Sequence, residues 1–126
     1  MSYYFSRTLE STFDEAIACT TQALQAEGFG VLTDIDVKAT LKSKLGEDIR
    51  NYRILGACNP PYAHKALQLE DKIGTMLPCN VIVQEVAPGS VEVAAVDPIA
   101  SMQAVDNPAL GEVAHEVQAK LRRVIE

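Results

Sequence analysis

The chain predicts a single α+β domain, with about five strands in an antiparallel or mixed sheet and helices packed mainly on one face. Three observations lead there. Apolar periodicity switches between the two-residue repeat of strands and the 3.6-residue repeat of helices, in the order β-α-β-α-β-α-β-β-α. Pro88-Gly89 joins the last two strands through a tight turn, which forces an antiparallel component and argues against a doubly wound parallel sheet. The chain has 126 residues, 48% apolar and 22% charged, which suits one core and one domain over 1–126.

Each element has a local cause. Tyr3 to Leu9 alternates and is rich in aromatic residues, as strands are. Thr12 and Glu15 form a capping box, Phe13, Ile17, Thr20 and Leu24 follow at helical spacing, and Gly28 ends the helix. Phe29 to Ile35 reads as the second strand. Asp36 caps a short helix carrying Val37, Leu41 and Leu45, and Gly46 stops it. Tyr52 to Cys58 is the third strand. Asn59-Pro60-Pro61 starts a helix where missing N–H groups cost nothing; it runs to about Ile73, with Gly74 as its close. Pro78 and Cys79 lead into a strand through Val86, and Val91 to Val96 completes the hairpin. Asp97-Pro98 breaks the strand, and a loop or short turn follows. Asn107-Pro108 starts the last helix, whose stripe is Leu110, Val113, Ala114, Val117, Leu121 and Val124. Lys120, Arg122 and Arg123 complement its negative C-terminal end.

Charge and cysteine content narrow the function classes. The net charge of −6 argues against nucleic acid and anionic membrane, which recruit basic surfaces. The start of the chain lacks the basic region and long apolar stretch of a secretory signal, and no apolar run approaches a spanning length. The expected location is therefore cytoplasmic. Three cysteines cannot form a closed disulfide set, and in the cytoplasm they are thiols, metal ligands or catalytic groups.

Phosphate loops, dinucleotide fingerprints, Gly-x-Ser-x-Gly elbows, Cys-x-x-Cys pairs and His-Glu-x-x-His motifs are all missing. Two segments stand out instead: Gly56-Ala57-Cys58-Asn59-Pro60-Pro61 and Leu77-Pro78-Cys79-Asn80-Val81. Each places Cys-Asn at a strand end. Cys58 precedes the helix cap Asn59, so its sulfur can face free N–H groups and the positive helix end, which favours the thiolate. If the third and fourth strands are neighbours, Cys79 comes within reach of Cys58. His64 lies about one turn into the helix and offers a third ligand or a proton partner. This reading is a thiolate pair for redox, sulfur transfer or a soft metal. The competing reading makes both cysteines small buried hydrophobes and His64 a surface residue. Cys19 lies off the core stripe and is read as structural.

Asp97 at a strand end can bind a ligand or serve as a base, although capping a turn explains it as well. Asp34, Asp36 and Lys38 read as capping and dipole complementarity. His115 is expected in solvent. Tyr52 and Tyr62 bracket Cys58 and can wall a pocket or simply pack at the core edge.

Three stretches together resemble the family called domain of unknown function 302: residues 28–42 (from Gly28 to Lys42), Tyr52 to Pro60, and Leu77 to Glu85. Asp97-Pro98 after the hairpin also fits. The resemblance covers nearly the whole chain. It implies a small α+β domain of bacteria or archaea, and it places Cys58, Asn59, Pro60, Cys79, Asn80, Asp97 and Pro98 at family motif positions. It supplies no catalytic residue set to carry over and leaves the cofactor open.

The expected function is a cytoplasmic binding module with a cysteine-containing pocket, taking a small molecule or a soft metal. Cys58 is the activated thiolate, Cys79 its partner, and Asn59 the residue that fixes the helix end. One alternative is an enzyme acting on a small metabolite, with Asp97 or His64 as the acid–base group. The other is a non-catalytic homodimer burying a sheet edge or helix face.

Overall fold

In a computed structural model describing residues 2–126, the five strands form one fully antiparallel sheet. They are β1 (Tyr4–Glu10), β2 (Gly30–Asp36), β3 (Tyr52–Cys58), β4 (Cys79–Ala87) and β5 (Ser90–Val96). Their order is β1-β5-β4-β3-β2, so the first two strands end up at opposite edges. The helix between them, α1 (Phe13–Ala26), crosses one sheet face to make that connection. The alternative of a mixed sheet is thereby settled as antiparallel.

Strand alternation gives the sheet two distinct faces. Leu55, Val81, Ala95 and Phe5 pair across one face, and Val83 pairs Val93 beside them. Leu55, Val81, Val83 and Ala95 are almost wholly buried. The helix α5 (Leu110–Ile125) joins α1 over this face, with Leu110, Val113, Ala114, Val117 and Leu121 buried as their spacing predicts. Ile125 rather than Val124 completes the buried stripe. Burying a Leu or Val side chain is worth about 1.5–3 kcal/mol, so these two stripes dominate the core.

The caps are local, as expected. Thr12 accepts the Glu15 N–H at 3.2 Å, and Asp36 accepts that of Ala39 at 2.9 Å to open α2 (Val37–Leu45). Gly46 ends α2 at φ +69, a conformation glycine adopts without strain. Asp34 pairs instead with Arg53, Nε to Oδ1 at 2.7 Å, and that guanidinium holds its carboxyl below the usual range. Lys38 donates to the Ile49 carbonyl at 2.9 Å.

Three boundaries differ from the reading above. The helix α3 (Pro60–Leu69) stops at Glu70, which adopts an extended conformation. A separate 3₁₀ turn, Asp71–Met76, then carries Ile73 into the core. The segment after Asp97 is a one-turn helix, α4 (Pro98–Ser101). Finally, α5 starts at Leu110, because a turn over Pro108 and Ala109 comes first, with Asn107 at its head. The Asn107 amide donates to the Leu69 carbonyl at 2.8 Å, and its carbonyl oxygen receives the Ala109 N–H at 3.2 Å.

Candidate functional site

The C-terminal end of β3 and the N-terminal end of β4 meet at one end of the sheet. Ala57 pairs with Cys79 in the β3–β4 register. Next to them the chain enters α3, which packs against α5 and turns Tyr62, Ala63 and Ala66 to the space between. Between these elements lies a cavity of 360 Å³. That size falls in the usual range for small-molecule sites, about 300–1,000 Å³. Its floor is buried: Phe29, Ala57, Ala66, Cys79, Val113 and Val117. Its rim exposes Leu32 and Leu67, which are 69% and 45% accessible.

The local sequence explains the opening. Alanines at 57, 63 and 66 leave room where larger side chains would fill the core. Gly56 is required beside it. A Cβ there would stand 2.1 Å from Thr33 Oγ1 and 2.8 Å from Pro78 Cγ. Thr33 and Pro78 can therefore close over β3 only because residue 56 has no side chain.

Both Cys58 and Cys79 line this cavity. Cys79 is buried, and burial pushes its thiol up to about 11, with the neighbouring Cys58 adding to the shift. Cys79 is a neutral thiol at neutral pH. Cys58 is half-buried, and both thiols are free.

The expected roles around Cys58 change in detail. Asn59 does not cap α3 with its side chain. It is itself buried, and its amide donates to the Glu27 carbonyl at 3.1 Å, tying β3 to the end of α1. Nor does α3 offer free backbone donors in its first turn. Pro60 and Pro61 have no N–H. The N–H groups of Tyr62 and Ala63 both reach the Asn59 carbonyl, at 3.1 and 3.0 Å. The first turn of α3 therefore has no free backbone N–H to offer the Cys58 sulfur.

The other predicted residues lie elsewhere. His64 is exposed on α3 and is absent from the cavity lining. Among the described residues, no three histidine, cysteine or carboxylate side chains gather to hold a metal ion, so Cys58, Cys79 and His64 do not form a ligand set. Asn80 follows Cys79 but points to the opposite sheet face, as strand alternation requires. Asp97 caps α4, accepting the Ile99 N–H at 3.0 Å, and also accepts from Gln118 at 3.1 Å. Those bonds give it a structural role away from the cavity. Of the two tyrosines, Tyr62 walls the cavity, with the Lys120 ammonium 5.9 Å from its ring centre, whereas Tyr52 lies on the far face. Cys19 and His115 are exposed.

Phe29, Met102, Val113 and Val117 complete the wall and were not recognisable as site residues. Val113 and Val117 belong to a core stripe, and nothing in a core stripe distinguishes the positions that border a void.

No helix among the described residues is long and apolar enough to cross a membrane. No curated protein matches the chain. Among solved structures, the crystal structure of an uncharacterized conserved DUF302 protein from Bacillus stearothermophilus is similar over 99% of this chain and 97% of its own, at 27% identity and a TM-score of 0.91. The sequence model of that family matches residues 5–126, and the chain belongs to the family described as domain of unknown function DUF302.

Proposed function

We propose that the protein is a cytoplasmic binding module for an apolar small molecule, held in the cavity between β3, β4, α3 and α5. The observation that carries this reading is the lining. It combines a 360 Å³ volume with aliphatic, aromatic and thiol side chains, and it includes no carboxylate, imidazole, ammonium or guanidinium group among the described residues. An apolar ligand entering it loses no hydrogen bonds that the walls must replace, whereas a charged one would be stranded. The same lining favours binding over acid–base catalysis on a metabolite. The thiol content of the reading narrows to a sulfur-reactive group on an apolar ligand, which would meet Cys58 and Cys79 as the softest groups of the wall. The three free thiols support a reducing compartment.

The test uses the neutral fluorescent probe N-phenyl-1-naphthylamine. The wild-type protein should bind it with an affinity of about 1–10 μM, and Ala63→Trp, which fills the half-buried wall, should weaken binding about tenfold or more at an unchanged circular dichroism spectrum. Equal binding by both proteins would refute the cavity as the site. Native mass spectrometry under reducing conditions reads bound metal and sulfur adducts in the same sample.

A further inference from the structure

The helices α1 and α5 lie over one face of the sheet. On the other, Ile35, Ile54, Ile82, Ala94 and Ser6 stand in register across all five strands. This row crosses a hollow of 420 Å³ lined by residues of strands β1, β3, β4 and β5 and by Tyr3 just before β1, with no helix residue among them. Tyr3 and Tyr4 form one wall, their rings 5.1 Å apart and edge to face, and Tyr3 is 71% accessible. Tyr52 forms the opposite wall, with the Arg50 guanidinium 5.6 Å from its ring centre.

We infer that this hollow face is the contact surface of a two-fold dimer of the chain, with the Tyr3–Tyr4 wall of each copy seated in the hollow of the other. Three features of the surface favour a second copy as the occupant. The first is charge. The chain carries −6, yet among the described residues Glu92 is the one ionised side chain lining the hollow, and it already accepts from Gln84 at 2.8 Å. Gln84 in turn accepts from Arg50 at 2.7 Å. The contact therefore brings together a surface with one formal charge per copy, and that charge already has a hydrogen-bond donor.

The second is area. Four strands about 4.8 Å apart and seven residues at about 3.3 Å each span roughly 19 by 23 Å. Two such faces cover roughly 900 Å² in projection, and side-chain relief brings the accessible area to the ~1,000 Å² a specific interface needs. The third is shape: an exposed tyrosine pair stands beside the hollow that the same face carries. An isologous contact also suits a surface with both a knob and a hole.

This inference stands apart from the proposed function, because the hollow and the thiol cavity lie on different sides of the sheet. Sedimentation equilibrium of the full chain tests it, and probe binding at the cavity is read in parallel. The wild type should sediment at twice 13.7 kDa. Ile82→Glu, which places a charge in the centre of the face, should weaken the dimer about 100-fold or more. Tyr3→Ala alters an exposed side chain that the fold does not need, so it reads the interface even if the first variant folds poorly; it should weaken the dimer about tenfold. Leu32→Glu, at the cavity rim, should leave the dimer intact. A wild-type monomer at about 100 μM, or a dimer indifferent to both Ile82→Glu and Tyr3→Ala, would overturn the inference. So would a monomer whose hollow takes the naphthylamine probe in a manner lost with Ile82→Glu, since the occupant would then be a small molecule.

Discussion

Cys79 makes the stability of the fold sensitive to alkali in a way that one substitution should remove. In the folded chain its thiol is held up to about 11 by burial first and by Cys58 second, against an ordinary value of 9.0. The sign follows from proton counts. Between these two values the unfolded chain releases the proton and the folded chain keeps it, so stability present below about pH 9 is lost as pH rises toward 11. The loss attributable to Cys79 is about 1.4 kcal/mol at pH 10 and approaches roughly 2–3 kcal/mol above pH 11. With a urea slope of about 1–2 kcal/mol/M, the midpoint moves by about 1 M between pH 8 and pH 10. Tyrosines and lysines titrate in the same window, so the measured quantity is a difference. Urea midpoints are followed by circular dichroism under reducing conditions for the wild type and Cys79→Ala. The variant starts lower, because it loses packing at a buried site, but it should lose less stability on going to pH 10. Cys58→Ser should keep most of the wild-type slope, because burial is the larger cause. Parallel pH profiles for wild type and Cys79→Ala would refute the claim that the folded state holds this thiol neutral.

Two further outcomes test the frame around the cavity. Gly56→Ala should destabilise the protein by about 1–3 kcal/mol, read as a lower urea midpoint, because Thr33 and Pro78 must move to admit the Cβ. Asp97→Ala should lower stability by about 1 kcal/mol through loss of the α4 cap while leaving naphthylamine binding unchanged; a selective loss of binding would return Asp97 to the site.

Much of the secondary structure was legible because its causes are local. Thr12 with Glu15, Asp36 with Ala39, and Gly46 act within a few residues, so the order of elements can be read along the chain. The opposed directions of Cys79 and Asn80 also follow from strand alternation. The loss of donors at α3 was half-legible. Pro60 and Pro61 announce two missing N–H groups, but the capture of the next two by the Asn59 carbonyl is visible only in the folded turn. The Asn59 side chain could not be read at all, because its acceptor, the Glu27 carbonyl, lies 32 residues away.

The candidate site divides along the same line. Composition and spacing singled out Cys58 and Cys79, and both line the cavity. Separation along the chain puts His64 one turn from Cys58, whereas its direction from the helix axis leaves it in solvent. Patterns along the chain specify which residues are apolar and which face they share. They do not specify where facing surfaces fail to meet. That depends on the volumes of Ala57, Ala63 and Ala66 set against Val113 and Val117, brought together by the packing of α3 and α5 on the sheet. Strand order has the same origin: β1 lies beside β5 through pairings some 80 to 90 residues apart, made because burying Phe5 and Leu9 against the core outweighs the slowly growing cost of closing so long a loop.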